Sequence, residues 1–236
     1  MKSALKDKPA SRGRKSRQLA PRRSRLPRQS LRDAAYETIK HRIITCRLKP
    51  GERINELQLS SMLRIGRTPV HQALGRLMLE EMVDVIPRKG VIVKPIILSD
   101  VLQMVDVRLV NEEYCARLAA ERADDADIEE LDAIVARARK AISGRNIQAM
   151  MTLDRDFHLT LGRAAKNSEL AELIRKLNER SLRFWYISFN TPDHHNRFQE
   201  QHEAILAAVR KHDANRAALA MRAHVEAFRA SVVRQL

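Results

Sequence analysis

From Ser99 to the last residue the chain keeps a helical spacing of apolar side chains, with breaks at "SGRN", "KNS", "FNTPDH" and "KHDAN". Each break is short and rich in turn or capping residues. That pattern leaves few folds, because helices joined by such short loops run antiparallel and bury their stripes against one another. It predicts a long helix from an N-cap at Ser99 and Asp100 to about Ala123, then helices over roughly 127–143, 146–165, 168–188, 194–211 and 213–235. Residues 99–236 are therefore expected to form an all-α antiparallel bundle.

The preceding segment has a different rhythm. Leu31, Ala34, Ala35, Ile39 and Ile43 share one helical stripe, which "LKPGERI" stops with the Pro50–Gly51 turn pair. A short helix is expected near Glu56 to Leu63 and a third from about Arg67 to Glu81. "VDVIP" and "VIVKP" then flank "RKG", two β-branched runs around a basic turn that read as a hairpin. Three helices and a hairpin over residues 31–96 match a winged helix-turn-helix. The expected fold is mainly α, with an N-terminal winged helix-turn-helix followed by the bundle.

Charge separates the two parts. Lys and Arg outnumber Asp and Glu by 11 to 1 over residues 1–30 and by 12 to 7 over residues 31–98, but the count is 21 to 21 over residues 99–236. A basic module joined to a neutral one points to a polyanion partner for the first. Residues 1–30 have too few aliphatic residues to bury a core and read as a disordered basic arm, either a solubilising tail or a sequence-independent phosphate contact. No run of about 18 apolar residues occurs and no apolar stretch follows the basic N-terminus, so neither a membrane span nor a secretory signal is expected. Cys46 and Cys115 form no CxxC pair and read as free thiols. The expected location is the cytoplasm, in association with the nucleoid.

On the third helix, Val70, Ala73, Leu74 and Leu77 fall on one side, while Arg67, Thr68, His71, Gln72 and Arg76 lie across the other. Pro69 suits the first turn, where its missing N–H has no intrahelical partner, and Gly66 or Thr68 can cap. A helix start with free backbone donors and Arg67 suits phosphates and guanine edges in a major groove. Lys89 and Gly90 let the hairpin tip approach phosphate or the minor groove. A solvated helix face is the alternative for an isolated helix, but the neighbouring helix, turn, hairpin and local charge all agree with one DNA-binding module. "LKPGERINELQLSSMLRIGRTPVHQALGRLMLEEMVDVIPRKGVIV" closely resembles the DNA-binding domain of the GntR family of bacterial transcription regulators. The resemblance implies DNA contacts at Gly66, Arg67, His71 and Gly90. Gly66 stands where the family usually has Ser or Thr, His71 where it usually has Arg, and Glu81 where Gly is usual.

In the bundle, Asp154 and His158 lie four apart on a stripe with Met151 and Leu161, His202 shares one with Phe198 and Ile205, and His224 shares one with Met221 and Phe228. Polar groups on three buried stripes need partners. A divalent cation on three imidazoles and one carboxylate would provide them, as would a metal-free Asp–His hydrogen-bonded network. These donors fit zinc, nickel, manganese or iron. Arg108 falls on an apolar stripe with Glu112 one turn on, which suits either a carboxylate ligand or a structural Arg108–Glu112 pair. His194 and His195 read as exposed loop residues.

Residues 99–236 resemble the FCD ligand-binding domain of the FadR subfamily. That resemblance implies metal ligation by Asp154, His158, His202 and His224, and an effector near Arg108, in a pocket that Asn111 alters by replacing the usual aliphatic residue. It further implies a homodimeric regulator, most often a repressor, bound to a palindromic operator in double-stranded DNA and controlled by a small carboxylate effector. No enzymatic activity is expected, because no HExxH, nucleophile elbow or glycine-rich phosphate loop is present. The alternatives are a metal-dependent enzyme with a DNA-binding appendage and a regulator that senses the ion itself.

Overall fold

The computed structural model describes residues 30–86, 90–188 and 192–234, with no side-chain description for Ser188 or residues 192–195. The expected basic arm, Lys89 at the hairpin tip, and the side chains of His194 and His195 lie outside the described residues.

The N-terminal unit contains α1 (Leu31–Ile44), β1 (Arg53–Ile54), α2 (Glu56–Leu63), α3 (Arg67–Leu79), β2 (Val83–Ile86) and β3 (Gly90–Val93). Ser30 caps α1 by accepting from the Asp33 amide, and Asn55 caps α2 by accepting from Leu57. Helix α2 ends at Arg64 in the left-handed conformation (φ 54°), which turns the chain into α3. The inner sides of α1 and α3, with Leu59, Met82, Val83, Val91 and Val93, make one closed core. The sheet has the antiparallel order β1-β3-β2, with Val83 opposite Val93 and Arg53 opposite Ile92. The two-residue strand β1 was not legible, since "RI" after a Pro-Gly turn is too short to show alternation. Gly90 opens β3 at φ +87°, a conformation that L side chains rarely adopt.

The C-terminal unit is a bundle of α4 (Leu98–Arg122), α5 (Asp125–Ser143), α6 (Ile147–Ala164), α7 (Ser168–Ser188), α8 (Pro192–Arg210) and α9 (Ala214–Val233). Helix α4 runs antiparallel along α9, as the Arg117–Asn215, Glu113–Arg222 and Asp106–Arg229 pairs record, and also packs on α6, α7 and α8. The core is separate from that of the N-terminal unit and is centred on Val105, Leu131, Phe157, Leu161, Met221 and Phe228. Helices α4, α5 and α8 start ahead of expectation, α8 at Pro192. Helix α4 begins at Leu98 behind Ile97, which makes no side-chain cap bond, because Ile96 and Leu98 anchor the entry on the bundle core and override the Ser99–Asp100 signal. Helix α5 begins two residues early, because Asp124 and Asp127 form a reciprocal capping box.

The two units meet along α7. Lys40 of α1 is buried in an ion pair with Glu179 of α7, and its ammonium also lies 2.9 Å from Glu80 and 2.7 Å from the Tyr36 hydroxyl. Arg175 of α7 bridges Glu80 at 3.3 Å and Glu179 at 2.7 Å, and Arg155 of α6 donates to the other Glu179 oxygen at 2.7 Å. Further along α7, Arg180 pairs with Glu81 at 2.8 Å and Arg183 donates to the Lys94 carbonyl. Glu81 sits at φ 57°, the left-handed position for which glycine is the usual choice, and turns the chain from α3 towards β2.

Candidate metal centre and nucleic-acid interface

Helices α6, α8 and α9 bring Asp154, His158, His202 and His224 together, with one donor atom from each lying within 4.8 Å of all the others. His158 Nδ1 lies 2.9 Å from Glu112 Oε2, and His224 Nδ1 lies 3.1 Å from the Gln201 amide oxygen. Those outer contacts orient the rings and leave each Nε2 for the centre. His158 Nδ1 and Nε2, Glu112 Oε2 and His202 Nε2 are all buried outside hydrogen-bond geometry among the described residues, so the 2.9 Å approach of His158 to Glu112 is a charge contact. Asp154 Oδ1 is 3.5 Å from His202 Nε2, a charge contact outside hydrogen-bond geometry. Each orphaned buried polar group costs roughly 1–3 kcal/mol. Three imidazole nitrogens and one carboxylate around a common point fit a divalent cation.

The electrostatics agree. Burial raises the Asp154 carboxyl above its ordinary value despite the attraction of His158 and Arg108. Burial also holds His202 and His224 well below the ordinary imidazole value, with repulsion from neighbouring histidines adding to it. They are neutral at physiological pH, the form that ligates metal. Glu112 behaves oppositely. Burial pushes it up, but Arg108 and His158 reverse that and hold it at about 2. Asn178 of α7 completes this surround by donating towards Asp154.

Arg108 is buried and already partnered: its Nε donates to Glu112 at 2.5 Å, its Nη1 to Ser181 at 3.0 Å, and its guanidinium lies 5.1 Å from the Phe228 ring centre. The structural pair is thus built. Asn111 turns its amide back onto the Val107 carbonyl. A cavity of about 50 Å³ opens on Asp154 and His202 and is otherwise lined by Ala138, Ile142, Ile147, Met150, Met151, Leu182, Trp185, Phe198 and Gln199. Met151 and Leu182 also wall a second crevice, of about 120 Å³, between α1 and the bundle, where Glu37, Lys40, His41 and Arg155 converge.

On the N-terminal unit, Gly66 caps α3, and Arg67, Thr68, His71 and Gln72 are all exposed along one edge, while Val70, Ala73, Leu74 and Leu77 are buried. His71 Nδ1 is 3.0 Å from Glu56 Oε1. Arg76 is not available to this edge: its guanidinium stacks 3.6 Å from the Tyr36 ring centre and reaches Glu80. A Cβ built on Gly66 meets only Pro69 Cδ, at 3.8 Å, so a hydroxyl-bearing residue would fit and its absence is not steric.

Residues 31–93 match "Bacterial regulatory proteins, gntR family", and residues 103–227, more than half of the chain, match the FCD domain. The chain belongs to the GntR family of bacterial regulatory proteins and carries an FCD domain. It is similar to the Nta operon transcriptional regulator of Aminobacter aminovorans, with 32% identity over 60% of this chain and 66% of that one. It is also similar to the HTH-type transcriptional repressor RspR of Escherichia coli (strain K12), with 25% identity over 87% of this chain and 90% of that one. The solved structure of E. coli McbR/YncC has the same fold, with a TM-score of 0.79 and 23% identity over 87% of this chain and 98% of that one. As a GntR-family transcription regulator, the chain binds DNA through its winged helix-turn-helix. No helix among the described residues is long and apolar enough to cross a membrane.

Within this GntR-family chain, the four expected metal donors meet at one point, and the expected edge of α3 is uncovered. Arg108 is two contacts from that point, through Glu112 to His158, and does not line the cavity. Sequence reasoning did not single out Gln201 or Asn178, since each comes from a different stripe from the donor it serves.

Proposed function

We propose that this GntR-family regulator is a homodimeric, ligand-responsive repressor of the FadR subfamily, which binds a palindromic operator and releases it when a small carboxylate effector occupies the bundle. The observation that carries this reading is the two-sided role of α7. Asn178 and Ser181 face the Asp154 and Arg108 surroundings, whereas Arg175, Glu179, Arg180 and Arg183 hold the DNA-binding unit. A displacement of α7 in response to ligand is therefore delivered directly to α1 and to the α3 terminus. Differential affinity of effector for two placements of that unit would set operator affinity.

In this reading Arg67 and Gln72 contact base edges, His71 replaces a permanent charge with a titratable one, and Thr68, the Gly66 backbone, Lys89 and Gly90 meet phosphate. Asp154, His158, His202 and His224 hold a divalent metal: zinc, nickel, manganese or iron. When bound, that ion supplies a Lewis-acidic anchor for a carboxylate. Arg108 adds positive potential and, through Glu112, fixes the His158 ring. Exposed Val107, Val110 and Tyr114 on α4 form an apolar stripe that supports pairing of two copies, as a two-fold operator requires. A cytoplasmic, nucleoid-associated location follows from this function.

Selection of genomic fragments on the full chain, with and without chelator, followed by sequencing, tests the proposal. The expected result is an enriched short palindrome whose affinity falls on adding the matching organic acid. Operator affinity that tracks free metal with no organic acid present would replace the effector by the ion. No enriched sequence under either condition, together with carboxylate turnover that His202→Ala abolishes, would favour a metalloenzyme.

A further inference from the structure

We infer that the effector is a monocarboxylate with a short apolar tail, aliphatic or a single aromatic ring, and not a polyhydroxylated acid or a tricarboxylate. This rests on the reading that the bundle takes up an organic acid, and it names the class. The cavity has one polar end, formed by Asp154 and His202, and its walls are Ile142, Ile147, Met150, Leu182, Trp185 and Phe198. Gln199 and the Trp185 indole are the other polar lining groups, and both hydrogen bonds of the Gln199 amide nitrogen are committed: Nε2 donates to the Val135 carbonyl at 3.1 Å and to Glu203 at 2.8 Å. Hydroxyls placed along the hydrocarbon walls would therefore lose water and meet at most the Gln199 oxygen or the indole N–H, and each one left unpaired costs roughly tenfold or more in affinity.

Arg108 does not reverse this preference. Two of its nitrogens are engaged by Glu112 and Ser181, and it lies outside the cavity lining, so a second or third carboxylate finds no free cation there. The polar end takes one anionic group, and the rest of the ligand must be content among hydrocarbon and aromatic surfaces. A volume of about 50 Å³ equals a few water-sized spheres, so the tail must be short. Met150 and Met151 are unbranched and deformable, so the wall they form yields to a slightly longer chain or a ring.

The chain contains a single tryptophan, Trp185, and it stands in the cavity wall. Its fluorescence therefore reports occupancy without any DNA-binding readout. The experiment titrates the full-length, zinc-loaded protein with butyrate, hexanoate and benzoate, and in parallel with gluconate and citrate. Calorimetry and metal analysis accompany each titration. Saturable change with hexanoate or benzoate, at least about tenfold tighter than with gluconate or citrate, is expected. Two cavity-filling variants, Ala138→Leu and Ile147→Phe, should keep the metal and lose the dependence on tail length. Ile147 is 41% exposed, so its substitution is tolerated even where the Ala138 change disturbs packing.

Gluconate or citrate binding as tightly as hexanoate would overturn the apolar-tail inference and leave the organic-acid reading standing. No response to any of the five acids, by fluorescence or heat, in protein shown to hold metal would sink the organic-acid reading itself. Hexanoate binding unchanged by chelation would remove the carboxylate from the polar end and overturn the placement proposed here.

Discussion

His224 shows how much of the candidate centre depends on single contacts: Gln201 fixes its Nδ1, and its ring packs 4.8 Å from that of His202 and 5.2 Å from that of His158. His224→Ala should leave the protein folded but with clearly less than one equivalent of zinc after dialysis; full occupancy would take His224 out of the site. Acid should have a comparable effect by titration. Burial raises Asp154, so a proton competes with a cation for its carboxylate. Metal affinity is therefore expected to rise with pH as Asp154 ionises, with no proton to be lost near neutrality from His202 or His224, which are held well below the ordinary imidazole value. Competition against a chelating dye over about pH 4 to 7 checks this, and an affinity that falls as pH rises would contradict it. On the DNA side, Arg67 stands exposed at the first position of α3. Arg67→Ala should cost roughly 1–3 kcal/mol of specific operator affinity, with non-specific binding affected much less. Equal losses on specific and random DNA would reduce Arg67 to a phosphate contact.

Helix α7 carries the contacts that join the two units, and Glu179, fully buried, compensates Lys40, Arg155 and Arg175 together. Glu179→Ala removes the carboxylate that these three cations share and leaves Glu80 to compensate both Lys40 and Arg175, and its expected cost is about 3 kcal/mol in denaturant unfolding. A loss below about 1 kcal/mol would mean that water replaces the carboxylate freely. Glu80 gives the same interface a pH signature. Burial pushes its carboxyl up, but the Tyr36 and Lys40 hydrogen bonds and the surrounding cations overcome that and leave it below 4.5. A lowered folded-state value contributes stability that is present above about pH 4.5 and disappears as pH falls through the folded value. Glu80→Gln should therefore flatten the acid limb of the stability profile.

The helix ends reveal both what the sequence makes legible and what it hides. The breaks at "SGRN", "KNS" and "KHDAN" were found because polar turn residues interrupt the apolar period, yet the residues that turn left-handed there are Arg145, Lys166 and His212. None is glycine, so no local signal marked them. Arg145 is exposed, and Arg145→Gly should raise stability by about 1 kcal/mol by relieving the left-handed penalty, measured by thermal unfolding.

At the scale of the whole molecule there are two cores and one charged seam. The candidate metal donors were legible because each lies on the apolar stripe of its own helix and the family resemblance singled out these four. The cavity was not, since its walls come from α5, α6, α7 and α8 in an order that only packing fixes. The seam was hidden for the same reason: Lys40 and Glu179 look like ordinary surface charges until tertiary structure buries them. Bound zinc should raise the unfolding free energy by about 2.7 kcal/mol at a hundredfold excess over Kd, and chelation should return it. The seam also sets how the molecule can move. Lys40, Glu80, Arg175 and Glu179 neutralise one another only while all are in place, so a small gap would leave unpaired charge in a poorly hydrated space before water could enter. Intermediate positions are the costly ones. On the function proposed above, the joint would work as a latch with a closed and an open setting, and increasing ligand would change how many molecules are unlatched, not how far each one opens.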